Sequence, residues 1–325
     1  MSRFGVTILV PIKVESLEAL TGFQQCYMDL LAEPLSFDIH LVIADESPAF
    51  IFQSLAGWFQ EHRHAVTHFC PTDAERTGAN DKLNGVLAGL SVARHNCIIL
   101  LDDHYRPTRS EITTAASLFD SYDCFKLLPK FATFSPAVLI DLAGMCVVSG
   151  YHPFGQFYGH LCFDKQQLLE FGFPSRDVLF DELALELPFR QAGRRVGFVS
   201  TFGFSSINNT SWKKFFKQRV RYAYENFAFP IRTTFHLSVA PILCLLRVLT
   251  NTFAWPGAFA AIVTMSMLLL GLVGRRKLNR SLPLACVAFV PCWFWFYPFS
   301  AWLAVLSRLL FGGVSFGGRL VRSPL

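Results

Sequence analysis

Residues 255–274 constrain the fold of this chain more than any other stretch. They form an uninterrupted run without a single charged side chain, and about twenty apolar residues are what a helix needs to cross the hydrocarbon core of a bilayer. Two more apolar blocks flank this run, at 237–249 and 282–306. The sequence therefore predicts a membrane region over residues 231–325 with about two to four apolar helices.

The region just before these blocks has the composition of a helix that lies on a membrane. Residues 212–224 alternate aromatic side chains with lysine and arginine, a pattern that predicts an amphipathic interfacial helix over residues 211–230. The net charge is +5, and the basic residues cluster here and at 275–280. That distribution favours an anionic membrane surface over nucleic acid. The apolar blocks predict a multi-pass membrane protein. The positive-inside rule predicts that its catalytic domain lies on the cytosolic side.

The nine cysteines are scattered and form no C-x-x-C pair. Such an unpatterned, odd number predicts reduced thiols and a cytosolic catalytic part. Residues 6–10 are too short for the apolar core of a secretory signal and are followed at once by Pro11.

Strand-like and helix-like patterns alternate in the first part of the chain. Apolar runs at 6–10, 37–44, 65–70 and 97–101 are separated by helical patterns at 16–32, 50–61 and 80–94. This alternation predicts βαβ units with a mostly parallel sheet, in a catalytic domain over residues 1–210. Further strands are predicted at 123–128 and 145–149 and a helix at 178–191. The first strand–helix turn has no glycine-rich phosphate loop, which excludes the usual dinucleotide-binding fold.

The run at 97–101 is followed directly by Asp102, Asp103 and His104. Five apolar residues in a row predict a strand buried on both faces, and ligands bind at the carboxyl ends of such strands. An oxygen-rich cluster at this edge suits a hard divalent cation that holds a diphosphate. The alternative is that the two aspartates only cap the turn before Pro107. The run at 37–44 also ends in an acid, Asp45.

Three other features leave two interpretations open. Asp181, near the start of a predicted helix, is either a favourable charge for the helix dipole or a general base. The loop at 151–160, rich in aromatic residues and glycine, is either an acceptor pocket or a packed surface loop. His62, His64 and His68 have a spacing that allows zinc ligation, but no nearby cysteine or acid completes the set, so a solvated helix end is favoured.

Taken in order, these motifs resemble the membrane-anchored, inverting glycosyltransferases of family 2, and among them the ceramide glucosyltransferase-like enzymes. The match covers residues 5–230 and, more loosely, the membrane region. The resemblance implies contacts to the donor from Pro11, Glu15, Asp45 (uracil), Lys82 and Asn84 (diphosphate), and Asp103. It implies metal ligation by Asp102 and His104 at the D-x-D motif and a catalytic base at Asp181. It also assigns Gln218, Arg219, Arg221 and Tyr222 to the Q-x-x-R-W motif.

The resemblance further implies a GT-A nucleotide-sugar-binding fold, a UDP-linked donor, a divalent cation (Mn²⁺ or Mg²⁺) and a membrane lipid as acceptor. Three residues depart from the family pattern: His104 replaces an aspartate, Phe180 a glutamate and Tyr222 a tryptophan. One alternative is a processive polysaccharide synthase, which usually has a longer membrane bundle. The other is a catalytically inactive homologue that only binds a nucleotide sugar, which the three departures favour and the retained acids oppose.

Overall fold

A computed structural model describes residues 5–33, 35–152, 159–207, 212–316 and 319–323, without the side chains of residues 213, 214 and 217. The chain divides into two compact units. The first comprises Met1–Ala132 and Phe157–Asn208, and the second comprises Thr133–Gln156 and Asn209–Leu325.

The strands are β1 (Gly5–Ile12), β2 (Asp38–Asp45), β3 (Val66–Phe69), β4 (Cys97–Leu101), β5 (Cys124–Leu127), β6 (Lys130–Phe131), β7 (His160–Asp164), β8 (Val196–Val199), β9 (Ser205–Ser206), β10 (Val314–Phe316) and β11 (Arg319–Val321). The helices are α1 (Phe23–Leu31), α2 (Ala49–Trp58), α3 (Asp81–Val92), α4 (Arg109–Leu118), α5 (Pro136–Tyr151), α6 (Lys165–Phe171), α7 (Asp181–Gln191), α8 (Trp212–Glu225), α9 (Pro230–Thr250), α10 (Ala254–Lys277), α11 (Ala285–Ala288) and α12 (Val290–Phe311).

The first unit is built on one sheet, which in the described residues has seven strands in the order β3-β2-β1-β4-β7-β5-β8. The pairs among β1, β2, β3 and β4 are parallel, as is the pair β5–β8, whereas β7 runs antiparallel to both of its neighbours. The predicted βαβ units and mostly parallel sheet are thus confirmed. Because β1, β2 and β4 are parallel, their carboxyl ends meet at one edge of the sheet.

Strand β4 lies in the middle of the sheet and is covered on both faces. Ile99 belongs to one hydrophobic cluster and Leu100 to the other, and both side chains are fully buried. Successive side chains of a strand point to opposite faces, so a continuous apolar run is what a central strand with two covered faces needs. The prediction of a doubly buried strand at 97–101 is confirmed.

The strand predicted at 145–149 is wrong, because these residues lie in helix α5. Ser135 caps this helix by accepting a hydrogen bond from the Val138 N–H, and Pro136 occupies the first helical turn. Most of the helix is buried, and an apolar run inside a buried helix cannot be told from a buried strand by periodicity.

The helix predicted at 16–32 is interrupted. A 3₁₀ turn at Leu17–Leu20 precedes α1, and Gly22 lies between them with a φ of 69°. This left-handed conformation is one that glycine adopts without strain.

A buried ion pair joins the sheet to α7. Lys126 on β5 lies 2.7 Å from the Glu186 carboxylate, and both side chains are inaccessible to solvent. Arg190, one helical turn later, also contacts Glu186. Burial lowers the pKa of Lys126 to about 8, although the Glu186 carboxylate opposes this shift.

The second unit contains α5, helices α8 to α12 and the β10–β11 hairpin. Among the described residues, α9, α10 and α12 are long and apolar enough to cross a membrane. Helices α10 and α5 approach each other closely at Gly274, where a methyl group would overlap the Cys146 carbonyl oxygen. Only glycine permits such an approach of two backbones.

Candidate active site

One lysine stands at the centre of the acidic residues that the sequence singled out. The Lys82 Nζ atom lies 2.7 Å from Asp102 Oδ1, 2.6 Å from Asp181 Oδ2 and 2.7 Å from Glu182 Oε1. An ammonium group has three N–H donors, so each of them has a carboxylate partner. The structure therefore brings together three residues that are distant in sequence and adds a fourth, Glu182.

Three different elements hold this cluster. Lys82 lies in the first turn of α3, which begins where the Asn80 side chain accepts a hydrogen bond from the Leu83 N–H. Asp102 follows the last residue of β4, and Asp181 and Glu182 open α7. Each element has its own hydrophobic packing, so the fold supports the cluster independently of any ligand.

Gly159 makes the close approach to Asp102 possible. The Asp102 N–H donates a hydrogen bond to the Gly159 carbonyl oxygen at 2.8 Å. Gly159 has a φ of 66°, and a methyl group at its Cα would overlap Asp102 Oδ2. Any side chain at residue 159 is therefore strained and displaces the Asp102 carboxylate.

The cluster holds its acids in different protonation states. Burial raises the pKa of Asp181 to about 7, and the neighbouring Glu182 carboxylate adds to the shift while Lys82 opposes it. Burial acts on Glu182 in the same direction, but Lys82 and a hydrogen bond from Asp181 outweigh it and lower the pKa of Glu182. Near neutral pH, Glu182 is therefore ionised and Asp181 exchanges a proton with its surroundings.

Asp45 is fully buried where β2 ends, and both of its oxygens have partners. Asp45 Oδ1 accepts a hydrogen bond from the Ser47 N–H at 2.8 Å, and Oδ2 lies 3.0 Å from His68 Nε2. The His68 ring stacks on Phe52, with ring centroids 4.2 Å apart. Burial tends to raise the pKa of Asp45, but the hydrogen bonds from His68 and Ser47 outweigh it and lower the pKa.

The remaining residues of the predicted donor site have mixed surroundings. Pro11 lies in β1 and faces Gly85 of α3, while Glu15 is exposed after the strand. Asn84 is buried, and its side-chain amide forms hydrogen bonds to both the N–H and the carbonyl of Gly78. In the described structure Asn84 thus shapes the loop that precedes α3.

The side chains after β4 are accessible to a ligand. Asp102, Asp103 and His104 have side-chain exposures of 26%, 33% and 23%, and His104 Nδ1 lies 3.6 Å from Asp103 Oδ1. Within the described residues, no three His, Cys, Asp or Glu side chains are grouped to hold a metal ion. A divalent cation at a diphosphate needs only one or two protein ligands, because phosphate oxygens and water supply the rest. The residues after β4 fit that kind of site.

The histidines considered for zinc do not converge in the described structure. His68 is paired with Asp45, and the rings of His62 and His64 lie 6.2 Å apart. A zinc site needs about four ligands arranged around one point.

The Q-x-x-R-Y segment lies on α8 in the second unit. The Arg219 guanidinium is buried, donates to Asp141 Oδ1 at 2.6 Å and lies 4.1 Å from the Phe215 ring centroid. Arg221 Nε is 3.4 Å from Glu225 Oε1. Gln218 is half-buried, and the Tyr222 ring lies 4.8 Å from the Arg219 guanidinium carbon.

The aromatic loop at 151–160 falls mostly outside the described residues, which resume at Gly159. His160 opens β7 and is buried. Its Nε2 accepts a hydrogen bond from the Leu127 N–H at 3.0 Å, and its Nδ1 lies 3.0 Å from the Tyr105 hydroxyl. His160 therefore joins strands β5 and β7 and the turn after β4, which is a packing role.

Sequence reasoning missed Glu182 and Gly159. Glu182 was visible as a second acid beside Asp181, and a glycine before an apolar strand was visible at 159. What could not be read from the sequence is that Lys82 reaches Glu182 and that Gly159 lies against Asp102.

Searches of protein-family models and of curated protein sequences find no match. Comparison of the folds, in contrast, finds many solved structures. The mannosyltransferase PcManGT from Pyrobaculum calidifontis, in complex with GDP-Man and Mn²⁺, superposes with a TM-score of 0.56 at 13% identity, over 94% of this chain and 87% of that chain. The chain has a GT-A fold.

Two other solved structures match less of the chain. Glucosyl-3-phosphoglycerate synthase from Mycobacterium tuberculosis, in complex with Mn²⁺ and UDP-glucose, has a TM-score of 0.47 at 12% identity, over 68% of this chain and 77% of that chain. GalNAc-T7 with UDP, GalNAc and Mn²⁺ also has a TM-score of 0.47 at 12% identity, over 70% of this chain and 52% of that chain.

Proposed function

We propose that this protein is an inverting glycosyltransferase that moves a sugar from a nucleotide-sugar donor, UDP-linked, to a hydroxyl group of a membrane lipid. The observation that carries the proposal is the cluster of Asp102, Lys82 and Asp181 at the carboxyl edge of a GT-A sheet. The bound GDP-Man and Mn²⁺ of the mannosyltransferase with this fold support a nucleotide-sugar donor. The apolar helices of the second unit support a lipid acceptor.

Asp181 is the base in this proposal. The acceptor oxygen forms a bond to the anomeric carbon while the bond from that carbon to the diphosphate oxygen breaks, and the diphosphate leaves with the electron pair. The acceptor proton passes to the Asp181 carboxylate. Attack from the face opposite the leaving group inverts the configuration. A base with a pKa near the working pH is the efficient choice, and the pKa of Asp181 is about 7.

Asp102 and His104 would hold a divalent cation, with Asp103 beside the bound donor. Such a cation, when bound, offsets the negative charge that develops on the leaving diphosphate. Lys82 keeps the Asp102 and Asp181 carboxylates at a fixed separation, since both bind the same ammonium group. The two carboxylates are therefore in position before the substrates bind.

The other donor contacts follow the resemblance and are refined by the geometry. Both Asp45 oxygens have protein partners. Asp45 therefore has an indirect role toward the base of the nucleotide, because it fixes the positions of Ser47 and His68. Pro11, Glu15 and Asn84 line or shape the same side of the sheet. Arg221 adds positive charge near the diphosphate, and Gln218 and Tyr222 lie on the same helix. Arg219 and Arg221 also contact Asp141 and Glu225.

The test is to incubate the full chain, purified in detergent, with UDP- and GDP-sugars and a lipid extract, and to search by mass for a new glycolipid. The matched control is Asp181→Asn, which keeps the size of the side chain and removes the proton acceptor. A product that forms with the wild type and not with the variant supports the proposal. Product formation at equal rates by both proteins excludes Asp181 as the base.

The inactive-homologue alternative is favoured by the three departures from the family pattern, His104, Phe180 and Tyr222. It predicts that the donor binds and no product forms. Calorimetry of donor binding, combined with the transfer assay, distinguishes an active transferase from an inactive homologue. An inactive homologue gives heat of binding without product. A processive synthase would give a ladder of products of increasing mass.

A further inference from the structure

Helix α12 runs side by side with the amphipathic helix α8. Near the start of both helices, the ring centroids of Phe296 and Phe216 are 5.7 Å apart. Near the end of α12, the Arg308 guanidinium carbon lies 5.9 Å from the centroid of Phe227, which follows α8. These contacts are separated by nearly equal numbers of residues on the two segments. At about 1.5 Å per residue, the helices therefore run in the same direction together for about 18 Å.

The segment after α12 returns to the end of α8. The Tyr224 hydroxyl on α8 donates a hydrogen bond to the Arg322 carbonyl oxygen at 2.6 Å. The Arg221 guanidinium carbon lies 5.0 Å from the ring centroid of Phe316 in β10. The residues just before α9 and those just after α12 therefore lie on the same side of any membrane that the second unit crosses.

These contacts restrict the number of crossings. Between Tyr224 and Arg322 the chain passes through α9, α10 and α12, which in the described part of the chain are the three helices that are apolar enough to span a bilayer. Two points on the same side must be separated by an even number of crossings. Three single crossings are therefore incompatible with the contacts, and at least one of these helices does not span.

The basic residues of α8 indicate that α12 is the helix that does not span the bilayer. Residues 213, 214 and 217 of this helix are lysines, and basic side chains in a hydrocarbon core are expensive. Because α12 runs beside α8 between Phe296 and Arg308, this part of α12 lies at the same depth in the membrane as α8. Helices α9 and α10, in contrast, are joined by a short turn around Asn251 and are apolar over most of their length.

We propose that α9 and α10 cross the bilayer as one hairpin, and that α8 and α12 lie together in the interface as a lipid-binding platform. The partner is the headgroup and upper acyl region of a leaflet that contains anionic lipids. This inference does not depend on sugar transfer.

The exposed side chains of the platform suit that partner. Large apolar side chains are exposed on both helices, and tryptophan is favoured at the level of lipid headgroups. The exposed Arg308 near the end of α12 and the three lysines in the sequence of α8 supply positive charge that favours anionic headgroups. The exposed apolar residues of the platform are Trp212, Phe216, Phe299, Trp302 and Leu306.

The test places single thiols on the full chain in sealed vesicles and labels them with a membrane-impermeant maleimide. In the background protein, the exposed cysteines Cys70, Cys244 and Cys292 are replaced by alanine. This protein is also the control for labelling of the remaining half-buried and buried thiols. The three positions are Ser281→Cys after α10, Ser315→Cys after α12 and Thr252→Cys between α9 and α10.

We expect Ser281→Cys and Ser315→Cys to react from one side and Thr252→Cys from the other. Reaction of the first two from opposite sides would show that α12 crosses, which overturns the proposal. Reaction of all three from one side overturns the hairpin crossing. Should the Ser315→Cys protein fail to accumulate, Arg322→Cys provides the same measurement, because the contact of Arg322 with Tyr224 uses only its backbone oxygen.

Discussion

Lys82 is a single cation shared by three carboxylates, and this sharing affects the protonation of two of them, Asp181 and Glu182. A fixed ammonium keeps Glu182 ionised, and the ionised Glu182 in turn disfavours a charge on Asp181. Two acids next to each other in sequence thus have different tasks, because only Asp181 can take up a proton near neutral pH.

Asp181→Asn should lower turnover by at least about 100-fold, since general bases contribute about 10²–10⁴-fold. Donor affinity should change little, because the donor is held elsewhere. In the wild type the rate should rise with pH through about 7, where Asp181 loses its proton. Turnover against pH and calorimetry of donor binding check this, with the exposed Asp73→Asn as control. A folded variant with near wild-type turnover would refute the assignment.

The same variant should change how stability depends on pH. The pKa of Asp181 is raised from an ordinary 3.8 to about 7 in the folded protein, so the folded state holds a proton that the unfolded state releases between these values. Wild-type stability therefore falls as pH rises through this window. Asp181→Asn removes this loss, and we expect it to be about 1–3 kcal/mol more stable than the wild type at pH 8. Denaturant unfolding at pH 5 and pH 8 measures the difference, and a gain that is equal at both pH values would contradict the explanation.

Asp102→Ala should remove the cation-dependent part of donor binding, which we expect to weaken affinity by at least about tenfold. Mn²⁺ should support binding better than Mg²⁺, because His104 offers a nitrogen ligand. Calorimetry with UDP-sugars, with each ion and without either, is the measurement, and Asp73→Ala is the control for loss of an exposed carboxylate. Unchanged affinity in the presence of Mn²⁺ would remove Asp102 from the site, and a preference for Mg²⁺ would place His104 off the metal.

At the scale of elements, the strands were predictable where the apolar run was short and bounded, as in β1 and β4. Residues 145–149 were not, because helix α5 is buried all round and offers no periodicity. The acids of the site were predictable because they follow strands or open helices. The bridge from Lys82 to Glu182 spans 100 residues, and such a contact depends on how α3 and α7 pack, which no local pattern encodes.

Gly159→Ala tests the turn that leads into β7. The variant combines a left-handed backbone, which costs about 1–2 kcal/mol for a residue with a Cβ atom, with displacement of the Asp102 carboxylate. Gly193→Ala is a matched control, because Gly193 also has a φ of 66° but has open space around it. We expect similar losses of stability in unfolding experiments, and a loss of cation-dependent donor affinity of at least about tenfold in Gly159→Ala only. Equal donor affinity in the two variants would show that Asp102 tolerates the methyl group.

At the scale of the whole molecule, the proposed soluble donor and membrane acceptor make different demands on the chain. The first unit carries the acids of the proposed donor site, and the second carries the apolar helices. Loss of membrane contact should therefore affect the acceptor and leave the donor unchanged.

The variant Trp212→Ser with Phe216→Ser tests this separation. The two side chains are 48% and 53% exposed, and each half-exposed ring contributes about 1 kcal/mol when a lipid covers it. We expect binding to vesicles to weaken by about tenfold or more and the KM for a lipid acceptor to rise, with unchanged donor affinity. Phe50→Ser, which removes an exposed ring of the first unit, is the control. Vesicle binding equal to that of the wild type would exclude these two rings from the membrane contact.

The buried pair of Lys126 and Glu186 has a consequence for how this chain can change over generations. Loss of Glu186 removes the carboxylate that a buried ammonium group contacts, and breaking a buried pair costs about 3–5 kcal/mol, a large share of the total stability of a typical domain. Loss of Lys126 is milder, because Arg190 still contacts Glu186. A lineage that replaces the pair by apolar residues should therefore pass through the loss of Lys126 first. Descendants that retain lysine at 126 without glutamate at 186 should be rare.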